Sequence, residues 1–296
     1  RRQWRQLLIS TPNSQDFLSG VIFYDETIRQ RDDSGKSFPQ LLIEQGVLPG
    51  IKVDAGLVDL NNFPQEQITE GLDGLDVRLK EYYRMGARFA KWRAAYTIGS
   101  KIPSEAAIHA NGNVFGRYAS LCQSNGIIPI IEPEVLYDGD HSLDECLEAT
   151  SRVLSTSLDI VRAYRVDMRH IVVKTGMVLA GKRYRAQSTP EEVATATLYV
   201  LNKAISSEVG GVVFLSGGQA PVQATKNLNA IGARGKQPWP ITFSFSRAVQ
   251  DPVMEAWLGN KAHVAHAQRI FYHRLACNSA ARAGEYSSAM ELKKKV

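Results

Sequence analysis

Short apolar runs alternate along this chain with longer segments in which apolar and charged residues are interleaved. The runs are 20–26 (GVIFYDE), 50–54 (GIKVD), 89–94 (FAKWRA), 127–135 (IIPIIEPEV), 171–175 (IVVKT), 211–216 (GVVFLS) and 241–246 (ITFSFS). Each is too short for a core helix and rich in β-branched or aromatic residues, so each predicts a strand. Between them lie helix signals. Thr189-Pro190-Glu191-Glu192 supplies an N-cap, a proline at the first helical position and a capping-box glutamate, and Val193 to Ile205 follows with helical apolar spacing. Pro103-Ser104-Glu105 opens a second helix that Asn125-Gly126 closes in the left-handed conformation, and Ser142 to Ala163 is a third.

Strand, helix, strand repeated in this way implies right-handed crossovers and a parallel sheet. No linker-like composition shift, low-complexity block or fixed-period repeat interrupts the chain, so residues 1–296 read as one continuous domain. A closed (β/α) barrel wants eight strands and the pattern supplies one fewer; an open doubly wound sheet is the other architecture it permits.

Alternation within the runs carries the chemistry. Residues two apart in a strand share a face. Lys91 and Arg93 therefore point one way while Ala90 and Trp92 point the other; Glu132 and Glu134 pair likewise, as do Lys52 and Asp54. Lys174 comes late in its own apolar run. Burying a charge alone is expensive, so ionisable residues that end four buried strands must face one another or a watery site. Interior ion pairs that merely fix barrel packing are the structural alternative. In a parallel barrel the carboxyl ends of the strands form the active-site rim.

Such a set suits amine chemistry. A lysine is nucleophilic only when deprotonated, and apolar surroundings with nearby cations such as Lys91 and Arg93 are expected to favour that form in Lys174. The amine adds to a carbonyl and loses water, and the iminium then draws electrons from an adjacent carbon–carbon bond. Glu132 is the carboxylate placed to move the protons. After the last two strands come Leu215-Ser216-Gly217-Gly218-Gln219 and Ser244-Phe245-Ser246-Arg247. Glycine amides, serine hydroxyls and an arginine fork are phosphate-binding chemistry, in the loops where these barrels hold phosphate.

Composition narrows the class. The 296 residues are 44% hydrophobic and 22% charged, ordinary for a globular chain. No apolar run reaches the ~20 residues of a membrane span, and no signal-type apolar core follows Arg1-Arg2-Gln3-Trp4-Arg5. A cytoplasmic protein is expected. Cys122, Cys146 and Cys277 are odd in number and far apart, which argues against a disulfide framework and for buried thiols. His263 and His266 share a helix face without a third ligand, so no metal is expected. The net charge of +5 is spread out except for Lys293-Lys294-Lys295, so nucleic acid is not an expected partner, and residues 287–296 read as a short basic tail.

The segments 42–55, 89–93 (FAKWR), 129–141 (PIIEPEVLYDGDH), 173–181 (VKTGMVLAG), 214–219 (FLSGGQ) and 242–249 (TFSFSRAV) together resemble, in order and spacing, the class I fructose-1,6-bisphosphate aldolases. The resemblance implies a (β/α)8 TIM barrel, N-terminally incomplete in this chain because the family's first strand and its Asp-Glu-Ser segment are not imitated here. It implies a glycolytic carbon–carbon lyase with no metal or cofactor, acting on a phosphorylated sugar through a Lys174 Schiff base and assembled as a tetramer. Glu132 would then transfer protons with support from Glu134, and Lys91 would stabilise charge. Lys52, Asp54 and Arg93 would complete the polar network. Ser216, Gly217, Gly218, Ser244 and Arg247 would bind phosphate. Thr175 and Gly176 stand where many members have proline and asparagine, and Ser246 where a glycine is frequent. A Schiff-base enzyme for another phosphorylated ketose, or a catalytically impaired binding or assembly protein on the same barrel, are the alternatives.

Overall fold

The computed structural model describes residues 1–292. In chain order its elements are α1 (Arg2–Ile9), β1 (Gly20–Phe23), α2 (Asp25–Ile28), α3 (Phe38–Glu44), β2 (Leu48–Lys52), β3 (Gly56–Asp59), β4 (Gln67–Glu70), α4 (Leu75–Arg84), β5 (Phe89–Tyr96), α5 (Glu105–Ser124) and β6 (Ile128–Val135). Then follow α6 (Leu143–Ala163), β7 (Val172–Thr175), α7 (Pro190–Ala204), β8 (Gly211–Phe214), α8 (Pro221–Gly232), β9 (Ile241–Phe243), α9 (Arg247–Trp257), α10 (Val264–Arg282) and α11 (Ala289–Leu292).

Each of the expected strands is present within a few residues of its apolar run. They form one parallel sheet in the order β1-β2-β5-β6-β7-β8-β9. Residues from β1, β2, β5, β6, β7 and β9 all line a single cleft, so the sheet curls into the barrel arrangement rather than lying open. Among the described residues no strand joins β1 to β9. The gap between those two edges is part of the same cleft and is walled by Val21, Leu42, Val47, Phe243, Phe271 and Leu275. The antiparallel hairpin of β3 and β4 departs from the βα alternation and has no counterpart among the apolar runs; it packs beside β5.

Local signals explain the element ends. Thr189 and Ser142 both close capping boxes, with Glu192 and Glu145, and Ser104 accepts from the Ala107 amide. Each such cap contributes about 1 kcal/mol. Gly126 ends α5 in the left-handed region, while Asn125 stays outside it. The outward face of β5 behaves as alternation predicts: Trp92 is fully buried against Tyr118 of α5, ring centroids 5.4 Å apart. On β1 and β2, Gly20 and Gly50 leave room for the Phe89 ring, which a Cβ at Gly50 would meet at 2.2 Å.

No helix of the described residues is long and apolar enough to cross a membrane. Within 287–296, Ala289–Leu292 form a helical turn that Glu291 ties to Arg274 and Tyr286, so this part is docked rather than a free tail. Lys293-Lys294-Lys295 and Val296 lie outside the described residues.

Candidate active site

Register brings the inward charges together. Lys52 of β2 lies opposite Lys91 of β5, and Arg93 of β5 opposite Glu132 of β6. Ile130 and Ile131 of β6 pair with Val172 and Val173 of β7, which carries Glu132 to the level of Lys174. Neighbouring parallel strands therefore deliver a row of ionisable side chains to the carboxyl end of the sheet. They open on a cleft of about 530 Å³.

At its centre Glu132 is clamped between two ammonium groups. Its Oε1 is 3.1 Å from Lys174 Nζ, and its Oε2 is 2.9 Å from Lys91 Nζ. All three residues are buried, with Lys174 8% exposed and Glu132 4%. Burial works to raise the Glu132 carboxyl, but the charges of Lys174 and Lys91 and their hydrogen bonds outweigh it and hold its pKa below the usual glutamate value. The carboxylate and the cation expected near Lys174 are both present, in a definite order. Its contact partner is a carboxylate, and Lys91 reaches it only across that carboxylate. The physical reason is neutrality: two buried ammonium groups on β5 and β7 without an anion on β6 between them would repel strongly. For chemistry the pairing is useful, because an ammonium and a carboxylate in contact exchange a proton in place.

A second layer supports the first. Asp54 pairs with Lys52, lies 3.8 Å from Lys91 Nζ, and accepts from the Arg93 amide at 3.3 Å. Asp54 is thus a brace beneath two lysines and not part of the cleft wall, whereas Lys52, Lys91, Arg93, Glu132, Glu134 and Lys174 all line it. Glu134 pairs with Arg93, and burial, which opposes the guanidinium charge, is outweighed by the attraction of Glu134, so the Arg93 pKa lies above the usual value.

Across the cleft, the turns after β8 and β9 supply hydroxyl, backbone amide and guanidinium groups. Ser216, Gly217, Ser244, Ser246 and Arg247 line its wall. Gly217 and Gly218 both adopt positive φ, 60° and 91°, which side-chain-bearing residues rarely do, and this folds the turn after β8. Gly218 lies beside Arg247, with a guanidinium nitrogen 3.4 Å from where its Cβ would be, and is not among the residues lining the cleft. Arg247 is also the first residue of α9, after Ser246 at its N-cap.

Two cleft features carried no sequence signal. The apolar wall between β1 and β9 is built from α1, α3 and α10 as well as the strands, through residues such as Leu8, Leu42, Phe271 and Leu275. Tyr24 lays its ring 5.7 Å from Lys52 Nζ, a cation–π contact at the end of β1. His263 and His266 stand apart from the cleft, at the junction leading into α10. All three cysteines are buried and unbridged.

The sequence matches the family described as glycolytic fructose-bisphosphate aldolase class-I over residues 1–296. It is 43% identical over 287 residues to a probable fructose-bisphosphate aldolase class 1 of Xanthomonas campestris pv. campestris, covering 97% of this chain and 86% of that one. It is 44% identical over 293 residues to fructose-bisphosphate aldolase 4, cytosolic, of Arabidopsis thaliana, covering 99% and 75%. A solved structure of fructose-bisphosphate aldolase from Plasmodium falciparum superposes with a TM-score of 0.95 at 40% identity, over 97% of this chain and 83% of that one.

Proposed function

Because the chain belongs to the class I fructose-bisphosphate aldolase family, we propose that its own Lys174 is the nucleophile for the family's reaction. That reaction is the reversible cleavage of fructose 1,6-bisphosphate to dihydroxyacetone phosphate and glyceraldehyde 3-phosphate, a step of glycolysis, and the family carries it through a lysine imine without a metal ion.

The contact between Lys174 and Glu132 carries the assignment. Transfer of the ammonium proton to the carboxylate leaves a free amine beside a protonated acid. The amine adds to the C2 ketone, and the acid protonates the departing hydroxyl so that water leaves and an iminium forms. The bond between C3 and C4 then breaks, its electrons flowing to the iminium nitrogen, while the C4 hydroxyl loses its proton to the Glu132 carboxylate. The aldehyde half departs. Protonation at C3 and hydrolysis of the imine release the ketone half and regenerate Lys174.

Lys91, bound to the same carboxylate, keeps it in position and offsets the negative charge that develops on the substrate oxygens. Ser216, Gly217, Ser244 and Arg247 hold the phosphate of the ketone half, with the positive φ of Gly218 shaping the turn after β8. Lys52 and Arg93 serve the polar network toward the second phosphate, with Asp54 and Glu134 as their braces. Residues 1–296 act as one barrel domain in the cytoplasm, where two plant relatives are placed by their names, and assemble as a homotetramer. Borohydride reduction in the presence of dihydroxyacetone phosphate tests the nucleophile. The expected product is a single adduct on the peptide containing Lys174; an adduct on another lysine, or none in the folded chain, overturns the assignment.

A further inference from the structure

Helix α10 shows two chemically different faces. Phe271 and Leu275 point to the cleft, while His273 and Cys277, one turn apart, lie on another side of the helix. There the Cys277 Sγ is 3.5 Å from the His273 Nε2. Helix α11 folds back over this face and brings Glu291 Oε2 to 3.7 Å from the same ring nitrogen. The three ligand atoms lie within 4.8 Å of one another.

The two separations from the His273 ring nitrogen, 3.5 and 3.7 Å, are close to the edges of a small tetrahedron, and the sulfur–oxygen edge closes from at most 4.8 Å by rotation of the Glu291 side chain. Zinc bonds of about 2.3 Å to sulfur and about 2.0–2.2 Å to nitrogen and oxygen, at tetrahedral angles, put S and N about 3.5 Å apart and N and O about 3.4 Å apart. The sulfur–nitrogen edge is already in place, and the nitrogen–oxygen edge needs a shift of a few tenths of an ångström. The carboxylate is held for the purpose from behind: Arg274 at 2.6 Å and the Tyr286 hydroxyl at 2.9 Å both donate to Oε1, which turns Oε2 toward His273. Outer partners of this kind orient metal-binding carboxylates.

We propose that His273, Cys277 and Glu291 bind a zinc-type divalent cation that clamps α11 onto α10. The mixed sulfur, nitrogen and oxygen set suits a borderline-soft ion and not calcium or magnesium, which take oxygen ligands. The thiolate and the carboxylate, which also faces the Arg274 guanidinium, offset part of its double charge, and binding releases the thiol proton. Cys277 is fully buried, whereas the His273 and Glu291 side chains keep 16% and 18% exposure, so solvent water can complete the fourth position. The site is separate from Lys174 chemistry and is structural in kind, fastening a helix whose other side forms one wall of the cleft.

Cobalt(II) and zinc(II) added to the chelator-treated full chain test the clamp. The expected result is one cobalt per chain with a sulfur-to-metal charge-transfer band and four-coordinate visible bands, bleached by one equivalent of zinc. Cys277→Ala and His273→Ala should each weaken zinc binding at least about 100-fold, as expected for loss of a direct ligand rather than an outer partner. Cys122→Ala and Cys146→Ala should leave it unchanged. A folded wild-type chain whose cobalt spectrum lacks the sulfur band overturns the proposal without recourse to any variant. So does zinc affinity that survives Cys277→Ala.

Discussion

Glu132→Gln tests the centre of the site most directly. The amide keeps the shape of the carboxylate but has one acceptor oxygen in place of two. At present Lys174 and Lys91 form ion pairs with separate oxygens, at 3.1 and 2.9 Å. In the variant one ammonium faces an oxygen and the other faces an amide donor, which leaves a buried cation short of its acceptor at about 1–3 kcal/mol. The anion between them is also gone. Two ammonium groups roughly 6 Å apart repel by about 3 kcal/mol at an effective dielectric constant near 20. Catalysis loses more specifically. Proton transfer by a positioned side chain is worth on the order of 10²–10⁴ in rate. At about 1.36 kcal/mol per decade this raises the barrier by roughly 3–5 kcal/mol. A coupled cleavage assay should therefore show kcat down by that factor, with KM much less affected because the phosphate contacts remain. Circular dichroism and a melting curve establish that the variant is folded. A folded variant whose kcat stays within about threefold of wild type would refute the reasoning, since no positioned proton-transfer group is so dispensable.

Arg247→Ala should raise KM for fructose 1,6-bisphosphate by about 10- to 100-fold, in line with roughly 1.5–3 kcal/mol for a charge-assisted hydrogen bond; an unphosphorylated ketose should respond far less, and an equal response would remove Arg247 from the phosphate site. Gly232→Ala places a Cβ 2.6 Å from the Ala281 carbonyl oxygen and 2.7 Å from that of Arg282, backbone atoms at the end of α10 that cannot swing aside. The expected loss is on the order of 1–3 kcal/mol, read as a melting point lower by roughly 2–4 °C per kcal/mol; an unchanged melting point contradicts the packing of α8 against α10. Acid stability follows from Glu132, whose pKa is lowered in the folded state from an ordinary value of 4.5. Its contribution is fully present above that unfolded value and is lost as pH falls through the folded one. Below pH 4.5 the wild-type melting point should therefore fall more steeply than that of Glu132→Gln, and parallel curves would show that the carboxylate titrates alike in both states.

Local rules made much of this molecule legible in one dimension. Period-two alternation assigned Lys91 and Arg93 to one face and Trp92 to the other, because the direction of a strand side chain depends only on its own backbone. The capping box at Thr189 and the left-handed Gly126 were readable for the same reason, each being complete within four residues. The seven parallel strands followed from short apolar runs separated by helices.

What alternation cannot supply is register between strands, which depends on how the helical crossovers seat against the sheet. Only register places Glu132 between Lys91 and Lys174 and so arranges these expected neighbours as an ion-paired row. It also sends Asp54 under the lysines and Gly218 beside Arg247, although their neighbours in sequence reach the cleft. The β3–β4 hairpin, the apolar wall between β1 and β9, and the meeting of His273 and Cys277 with Glu291 were likewise decided in three dimensions. Each joins residues whose separation in sequence carries no period, and proximity of that kind is set by packing of the whole core rather than by any property of the segments alone.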